Sequence, residues 1–476
     1  MKGAAKKTNA NNTLEGFFNP KTIAVVGASR DQSKIGHVVF RNLVEGEYKG
    51  RVFPVNPNTK KLLGMKCFPS VTHIKERIDL AVISIPAEFV PKAIEECGRK
   101  GIHSAIVISG GFKEAGNAEL EKKLAVTARK HGMRIIGPNC LGVFDPSNGV
   151  DTVFLPRFKL GRPKAGDIAF ITQSGAVGSV VIDWMARKGY KISKFVSYGN
   201  AVDVDEADLV EYLVRDKKTK VICAYFEGVK EGRKFFEITR RIAGKKPIIV
   251  LKGGVTSAGT KAVSSHTGSL AGSFEIYSAA FKQAGVIQAG DMEELFDYAR
   301  TLSSLPKPQC NRVQIITDGG GFGILLTDSV IKNGLRLSKM SQEKIDHLRK
   351  KMPSYVVIKN PIDLTGDADV ERYREALEAA LQDPNVDIIG LIVLLQVPRL
   401  GGEIVDTIIN AFKTSKKPIF VISAGGEYTE VLKKTLEDIG IPTFSYPQNA
   451  AKAMRVLYEF GKERTNDKCK KAEEKD

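Results

Sequence analysis

The sequence predicts an α/β protein with parallel sheets: an N-terminal Rossmann-like unit followed by two duplicated flavodoxin-like units. Three observations predict this fold class. Short apolar runs alternate with amphipathic stretches along the whole chain, as expected for strands buried between helices. The chain has 476 residues, which suits two or three domains of ~150 residues each. A glycine-rich pattern at residues 171–178 recurs at residues 316–323, which indicates that one unit occurs twice.

The first unit is expected over residues 14–148. Its buried strands are predicted from five apolar runs, at residues 22–26, 52–55, 80–85, 104–108 and 134–136. The preceding residues 1–13 are basic and polar and contain no apolar segment. They are therefore expected to form a disordered arm and not a secretory signal.

The two later units are expected over residues 149–304 and 305–460, followed by a charged tail at 461–476. The unit at 149–304 begins with a strand at 166–172. The unit at 305–460 begins with a strand at 312–317, after a proline-rich link. Further matches occur in the same order: Asp183 with Asp328, Gly189 with Gly334, residues 200–203 with 360–363, and residues 245–250 with 416–421. Four ordered matches indicate a duplicated flavodoxin-like domain.

The duplication acts as an internal control for function. Only the second unit carries His266, in a small, polar, glycine-rich stretch that follows Gly253 and Gly254. Glu227 of the second unit is matched with Gln396 of the third. Chemistry is expected at such divergent positions, because features common to both copies serve the shared fold.

Composition excludes several classes of function. The net charge of +18 is spread along the chain and not clustered with aromatic residues, so no nucleic-acid partner is expected. A polyanionic small ligand or solvated surface lysines account for it better. No apolar run of about 18 residues predicts a membrane span. The six cysteines lie far apart, so disulfides and zinc ribbons are not expected. We expect a cytoplasmic protein that binds no metal of its own.

The first turn between a strand and a helix is predicted to bind phosphate. It contains Gly27, Ser29, Lys34 and Gly36, and it leads to a helix N-terminus with free N–H groups. It lacks the G-x-G-x-x-G pattern of dinucleotide sites. The second strand ends in Val55, Asn56 and Pro57, where an NAD-binding protein places an acidic residue. A nucleotide-like polyphosphate other than NAD is therefore favoured, with a tight turn and a solvated lysine as the alternative.

Other strand ends of the first unit outline one crevice, because ligands of open parallel sheets bind at the carboxyl edge. The residues at these ends are Ile85, Pro86, Ser109, Gly110 and Asn139. In the second unit, Gln173, Ser174 and Gly175 form the corresponding turn and could direct N–H donors at a phosphoryl group. Since the third unit keeps a similar turn, close backbone packing is an equal alternative there.

The residues alone leave three roles open for His266: phosphoryl acceptor, general base or metal ligand. Neutral imidazole is a good nucleophile near pH 7. A carboxylate at the other ring nitrogen would fix its tautomer, and Glu227, at a strand end of the same unit, is the candidate. The alternatives are a surface histidine and a solvated carboxylate.

Taken in order, these motifs resemble those of the NDP-forming acyl-CoA synthetase superfamily. The motifs are Val-Gly-Ala-Ser, Val-Asn-Pro, Gly-Pro-Asn-Cys-Leu-Gly, Gln-Ser-Gly-Ala-Val and Ser-His-Thr-Gly-Ser-Leu-Ala-Gly. The nearest resemblance is to α subunits of ADP-forming acetate–CoA ligases, over residues 14–460. Succinyl-CoA synthetase α subunits share the first two units and lack the third.

The resemblance implies a fold, a reaction and a partner. The first unit would bind coenzyme A as a substrate, through the turn and strand-end residues above. Acyl-CoA and phosphate would give acyl phosphate, whose phosphoryl group passes to His266 and then to ADP. Glu227 would hydrogen-bond the histidine, while Gln173, Ser174 and Gly175 would hold the phosphoryl group. Nucleotide and Mg²⁺ would bind an ATP-grasp β subunit, in an assembly expected to be α2β2.

Two alternative functions remain open. One is a succinyl-type ligase subunit, against which the third unit argues. The other is a non-catalytic CoA-binding regulatory protein, which would need neither His266 nor Glu227. The acyl specificity and the choice between ADP and GDP are not encoded in any motif of this sequence.

Overall fold

The structure is a computed structural model that describes residues 14–267 and 273–462; for residues 264–267 it describes the backbone only. The chain divides into two compact parts, an N-terminal part (Met1–Ala289) and a C-terminal part (Gly290–Asp476). The first contains two large sheets and the second contains one. The predicted arm at residues 1–13 and almost all of the predicted tail at 461–476 lie outside the described residues.

The first sheet has five parallel strands in the order β2-β1-β5-β6-β7. The chain therefore winds outward in both directions from β1 and β5, as in doubly wound nucleotide-binding folds. Its strands are β1 (Thr22–Val26), β2 (Arg51–Val55), β5 (Leu80–Ile83), β6 (Ser104–Val107) and β7 (Arg134–Ile136), and β3 (Lys61–Leu62) and β4 (Met65–Lys66) form a separate hairpin. The helices are α1 (Glu15–Phe18), α2 (Ile35–Val44), α3 (Val90–Arg99) and α4 (Ala118–Lys130).

The second sheet has seven strands in the order β14-β13-β12-β10-β11-β8-β9. Its parallel strands are β10 (Ala165–Thr172), β11 (Ile192–Ser197), β12 (Val221–Phe226), β13 (Ile248–Lys252) and β14 (Ile287–Ala289), while β8 (Gly142–Asp145) and β9 (Val150–Asp151) run antiparallel at one edge. The helices are α5 (Gly175–Arg187), α6 (Glu206–Arg215), α7 (Gly232–Ile242), α8 (Ser257–Thr267) and α9 (Phe274–Gln283).

The third sheet lies in the C-terminal part and has the order β17-β18-β15-β19-β20-β21, with β16 beside β15. The strands are β15 (Arg312–Thr317), β16 (Arg336–Leu337), β17 (Val357–Ile358), β18 (Ile362–Asp363), β19 (Ile388–Ile392), β20 (Ile419–Ile422) and β21 (Thr443–Phe444). The helices are α10 (Met292–Ser304), α11 (Gly320–Lys332), α12 (Gln342–Lys351), α13 (Val370–Gln382), α14 (Glu403–Thr414), α15 (Glu427–Asp438) and α16 (Pro447–Lys462). Together the sheets confirm the predicted α/β class with parallel sheets.

Equivalent side chains support the inferred duplication. Lys246 Nζ donates to the carbonyls of Leu213 (3.1 Å) and Asp216 at the end of α6. Lys417 Nζ donates to the carbonyls of Ala380 (3.0 Å) and Asp383 at the end of α13. The repeated Lys-Lys-Pro motif therefore closes the same helix end in both copies, where unpaired carbonyls need donors.

The pairing of residues 200–203 with 360–363 is wrong. Strand register places Ser197 opposite Thr172 in the second sheet and Asp363 opposite Thr317 in the third. Because Thr172 and Thr317 are equivalent, Asp363 corresponds to Ser197. The single strand β11 is replaced in the third sheet by two short strands, β16 and β18, so the local Asn-x-x-Asp similarity does not reflect position.

The pairing of Glu227 with Gln396 is also wrong. Ile168 lies opposite Val221 in the second sheet, and Val313 opposite Ile388 in the third. Counting from these partners makes Leu394 the counterpart of Glu227. The two copies therefore differ more than expected, because the position of the Glu227 carboxyl group in one copy is occupied by the apolar side chain of Leu394 in the other.

Two further properties bear on the sequence predictions. Among the described cysteines, Cys67, Cys97, Cys140 and Cys223 are free, but Cys310 is disulfide-bonded. The expectation that the spacing disfavours disulfides is thus wrong for Cys310, because spacing says nothing about partners remote in sequence. Within residues 14–267 and 273–462, no helix is long and apolar enough to cross a membrane.

Candidate functional site

Glu227 lies one residue beyond β12, at the carboxyl edge of the second sheet, and is only 8% exposed. Gln173 follows the neighbouring strand β10, and its Oε1 accepts hydrogen bonds from the N–H groups of Glu227 (2.9 Å) and Gly228 (3.1 Å). In the third sheet Asp318 accepts from the N–H of Leu394 in the same way, at 3.1 Å. The segment after β12 is therefore held by a side chain from the adjacent strand in both copies.

Lys252, the last residue of β13, lies beside this segment and is 4% exposed. Its ammonium donates to the carbonyl of Glu227 at 2.8 Å and to the carbonyl of Gly253. Burial lowers the pKa of Lys252, while the negative charge of Glu227 opposes that shift. The site thus combines a buried cation with a buried carboxyl group.

Tyr225 adds a contact to the Glu227 carboxyl group. Burial raises the pKa of Tyr225, and the charge of Glu227 and a hydrogen bond to it raise that pKa further. A Cβ on Gly253 would also lie only 2.7 Å from the Tyr225 hydroxyl oxygen. A side chain at position 253 would therefore displace the tyrosine, which explains the glycine there.

The N-terminus of α5 opens at the same edge of the sheet. Ser174 is its N-cap, and its Oγ accepts from the N–H of Val177 at 3.3 Å. A Cβ on Gly175 would meet only Leu141, at 3.8 Å, whereas a Cβ on Gly178 would lie 2.9 Å from Phe195. Packing thus requires glycine at 178 and not at 175, so at Gly175 close packing is the weaker interpretation. Glycine leaves this helix start open to a ligand.

His266 lies in the last turn of α8, since the helix extends to Thr267. The small, polar stretch around the histidine is therefore helical over residues 261–267. Thr256 caps the start of the helix, because its Oγ1 accepts a hydrogen bond from the N–H of Gly259 at 3.1 Å. The side chain of His266, and residues 268–272, lie outside the described residues.

The histidine helix α8 lies against the short 3-10 helix Lys113–Ala115 of the first sheet's domain. Next to that helix is a cavity of about 620 Å³, lined by Gly110, Gly111, Asn117 and others. Gly110 is one of the predicted crevice residues. The carboxyl edge of the first sheet and the histidine helix therefore border the same region of the N-terminal part.

Two predicted residues of the first turn shape it. Gly27 has φ +94°, and a Cβ on it would lie 2.3 Å from the carbonyl oxygen of Ser84. A Cβ on Gly36 would lie 2.0 Å from the carbonyl oxygen of Gly27. Both glycines are thus explained by close packing between β1, β5 and α2.

The rest of this turn faces outward. Lys34 is the exposed N-cap of α2, and no side chain caps that helix. The Ser29 hydroxyl accepts from the N–H of Asp31 at 3.1 Å, and the Ser29 carbonyl lies 2.8 Å from Nδ1 of the buried His37. The open helix start and the lysine remain suited to a phosphate.

Residues at the end of β2 support the turn from the other side. The Asn56 amide donates to the carbonyl of Ala28 at 2.7 Å, and the Val55 carbonyl accepts from the N–H of Gly27 at 3.0 Å. Pro57 is exposed in the following turn. Of these three residues, Val55 and Asn56 stabilise the first turn through hydrogen bonds.

The remaining crevice residues meet at the ends of β5, β6 and β7. The Ser109 hydroxyl accepts from the N–H of Ile85 at 3.1 Å, and Pro86 begins the next turn. Asn139 donates its N–H to the carbonyl of Ser109 at 2.9 Å and has φ +57°. A Cβ on Gly110 would lie 3.3 Å from the Asn139 side chain. The structure brings these predicted residues together at one edge.

The sequence interpretation missed Lys252 and Tyr225. It also missed Tyr277 of α9, whose hydroxyl oxygen accepts the N–H of Val229 at 3.1 Å. A lysine ending an apolar run within a parallel sheet is an unusual feature, and this signal could have identified Lys252. The two tyrosines give no signal of their own, because an aromatic residue in a strand or helix usually serves the core.

Three family models match successive parts of the chain. A CoA binding domain matches residues 21–146, a succinyl-CoA ligase like flavodoxin domain matches 165–302, and a ligase-CoA domain matches 313–463. They confirm the predicted order of a Rossmann-like CoA-binding domain and two ligase domains.

Similar proteins cover nearly the whole chain. The acetate–CoA ligase [ADP-forming] II subunit alpha of Pyrococcus furiosus is 41% identical, over 94% of this chain and 98% of that protein. The acetate–CoA ligase [ADP-forming] I of Archaeoglobus fulgidus is 40% identical, over 96% of this chain and 65% of that protein. A structure of dinucleotide forming acetyl-coenzyme A synthetase 1 from Ca. Korarchaeum cryptofilum, in complex with phosphate and ADP, superimposes with a TM-score of 0.89 and 39% identity, covering 95% of this chain and 98% of that one.

Proposed function

The chain belongs to the family of ADP-forming acetate–CoA ligase α subunits, and we propose that it acts as the α chain of such a ligase. The reaction interconverts acyl-CoA, phosphate and ADP with a carboxylic acid, CoA and ATP. The observation that carries the proposal is Glu227, a buried carboxyl group that lies beside the open start of α5 in one ligase domain and is replaced by Leu394 in the other.

The first domain binds coenzyme A. The open start of α2, with Lys34 and Ser29, receives its phosphates, because helix N-termini and lysines attract anions. The rest of the coenzyme A molecule then lies along the ends of β5, β6 and β7 and extends toward Gly110 and the histidine helix. This direction is supported by the shared border between the cavity and α8.

The chemistry runs in three balanced steps. A phosphate oxygen attacks the thioester carbonyl, the C–S bond breaks, and CoA leaves as the thiol. An imidazole nitrogen of His266 then attacks phosphorus, and the P–O bond to the carboxylate breaks, which releases the acid. Finally an oxygen of the β-phosphate of ADP takes the phosphoryl group, which forms ATP and frees the imidazole.

Glu227 and the start of α5 have separate roles in the second step. The Glu227 carboxylate accepts a hydrogen bond from the N–H of the second ring nitrogen of His266, and this tautomer leaves the attacking nitrogen unprotonated. Gln173, Ser174 and Gly175 frame the helix start, whose N–H groups stabilise the transferred phosphoryl group. Because Gln173 Oε1 already accepts two backbone hydrogen bonds, its contribution to phosphate would come through its amide nitrogen.

Nucleotide and Mg²⁺ bind a partner chain of the ATP-grasp type, in a hetero-oligomer of α2β2 stoichiometry in the cytoplasm. Support comes from the name of the Pyrococcus furiosus relative, a subunit alpha. Phosphohistidine and acyl phosphate both hydrolyse in water, so the site has to be shielded during transfer, and a subunit interface would provide that shield.

Radiolabelled phosphate with acetyl-CoA tests this proposal directly. The chain should acquire an acid-labile, base-stable label that disappears in His266→Asn. Glu227→Gln should slow labelling by about 100-fold or more, since an amide can donate to the ring nitrogen and favour the unreactive tautomer. The matched control is His347→Asn, because His347 is exposed and pairs with Glu375 in the C-terminal part of the chain.

Two outcomes would contradict the assignment. Label that survives His266→Asn would remove His266 as the phosphoryl carrier. An unlabelled chain that nevertheless binds CoA would favour the alternative of a non-catalytic regulatory protein.

A further inference from the structure

We propose that Lys252 and Tyr277 are positioning residues that anchor the two segments flanking His266 to the segment that carries Glu227. The inference rests on the proposed function, and it extends that function to residues on both sides of α8. It concerns how the carboxylate and the histidine are brought to one fixed geometry.

Lys252 forms the first anchor, before the histidine helix. Its ammonium donates both to the carbonyl of Glu227 and to the carbonyl of Gly253, the residue that leads into α8. One buried cation therefore joins the start of the histidine segment to the backbone of the carboxylate. An ammonium group is strongly solvated, so its burial is costly unless such hydrogen bonds are made.

Tyr277 forms the second anchor, in α9, after the histidine segment. Its hydroxyl oxygen accepts the N–H of Val229 at 3.1 Å. Its ring centre lies 4.8 Å from the Lys252 ammonium, within the range of a cation–π interaction. The two anchors are therefore in contact with each other as well as with the Glu227 segment.

The Glu227 segment, residues 227–230, has every backbone N–H bound by a side chain. Gln173 accepts from Glu227 and Gly228, and Tyr277 accepts from Val229. The buried Glu206 then accepts the N–H of Lys230 at 2.8 Å. Four consecutive N–H groups are therefore bound by the side chains of Gln173, Tyr277 and Glu206.

This arrangement suits a transfer reaction between two separate segments. A misplacement of about 1 Å can cost about 100-fold in rate, because reacting groups must approach within a narrow range. Lys252 and Tyr277 touch backbone and each other; they act through Glu227 and α8 and not on the reacting atoms. Their loss should therefore slow the transfer step and leave substrate binding unchanged.

Rapid-quench labelling of the full-length chain with acetyl-CoA and labelled phosphate tests the inference. Lys252→Met keeps the volume and removes the charge, and it should slow phosphorylation by about 10- to 100-fold. KM for phosphate and for acetyl-CoA should change by no more than about two-fold, as expected when ground-state binding is intact. Tyr277→Phe keeps the ring and removes the hydroxyl, so a smaller slowing of several-fold, about 3 to 10, is expected.

Lys246→Met is the matched control. Lys246 is a half-buried lysine just before β13, and like the buried Lys252 it donates to two backbone carbonyls, but at the end of α6. It should lower the melting temperature comparably without changing the rate of phosphorylation. A rate loss in Lys246→Met equal to that in Lys252→Met would reduce the effect to general stability and overturn the inference.

The remaining outcomes separate the inference from the proposed function. If the wild-type label depends on His266 while Lys252→Met or Tyr277→Phe reacts at the wild-type rate, the positioning role is wrong and the ligase assignment stands. If Lys252→Met does not fold, Tyr277→Phe decides alone, since it conserves volume. If the wild-type label does not depend on His266, the proposed function itself fails.

Discussion

Glu206 is a buried carboxylic acid at the first position of α6, and it is 1% exposed. Burial raises its pKa to about 7, and the neighbouring Asp205 adds to the shift, while the N–H of Lys230 and the charge of Lys234 oppose it. The residue therefore changes charge near neutral pH while it holds the segment that carries Glu227.

The raised pKa predicts a pH dependence of stability. Below pH 4.5 Glu206 is protonated in both states, and its stabilising contribution is lost as pH rises through the folded pKa of about 7. The shift corresponds to about 3 kcal/mol, at about 1.4 kcal/mol per pH unit. Glu206→Gln stays neutral at every pH. The free energy of unfolding of the variant minus that of the wild type should therefore be larger at pH 8 than at pH 4.5.

Urea titrations at the two pH values measure this difference. Asp208→Asn is a suitable control, because Asp208 is paired with Arg134 at 2.7 Å near the same helix end. Equal slopes of stability against pH for the wild type and Glu206→Gln would contradict the assignment of the titrating group.

At the scale of the elements, the repeated Lys-Lys-Pro motif explains how each ligase domain closes one helix. Burial lowers the pKa of both Lys246 and Lys417, yet each ammonium meets two carbonyls at the end of α6 or α13. A helix C-terminus carries partial negative charge, so a cation is favoured there.

Lys417→Met should destabilise the C-terminal part (Gly290–Asp476) by about 1–3 kcal/mol, because it leaves two carbonyls without a charged donor. Thermal unfolding followed by circular dichroism would measure the loss. Labelling of His266 should persist at temperatures where the variant is folded, since α13 lies in the other ligase domain. An unchanged melting temperature would show that water replaces the lysine at no cost.

At the scale of the whole molecule, the prediction concerns the last step of the reaction. The phosphorylated chain alone should not transfer its phosphoryl group to ADP, because the nucleotide is proposed to bind the partner. Addition of an ATP-grasp β chain with Mg²⁺ and ADP should release the label as ATP, which luciferase detects. Rapid ATP formation by the isolated chain would contradict the proposed division of labour.

Local patterns were sufficient for the architecture. The strands predicted at 22–26, 134–136 and 312–317 coincide with β1, β7 and β15. A strand buried on both faces needs a short continuous apolar run, and that requirement is satisfied by neighbouring residues alone. The order of the motifs was likewise enough to identify the family and to single out His266 and Glu227 as candidates.

Only the tertiary structure decided which distant residues are equivalent or in contact. Leu394 became the counterpart of Glu227 through strand register, which depends on pairing between remote segments. The contacts of Lys252 with Glu227 and Tyr277 join residues on three elements. The sequence by itself determined the elements and the chemical groups, because periodicity and residue type are local. The folded chain decided their partners, burial and charge state, because these follow from which strand ends share one edge of a sheet.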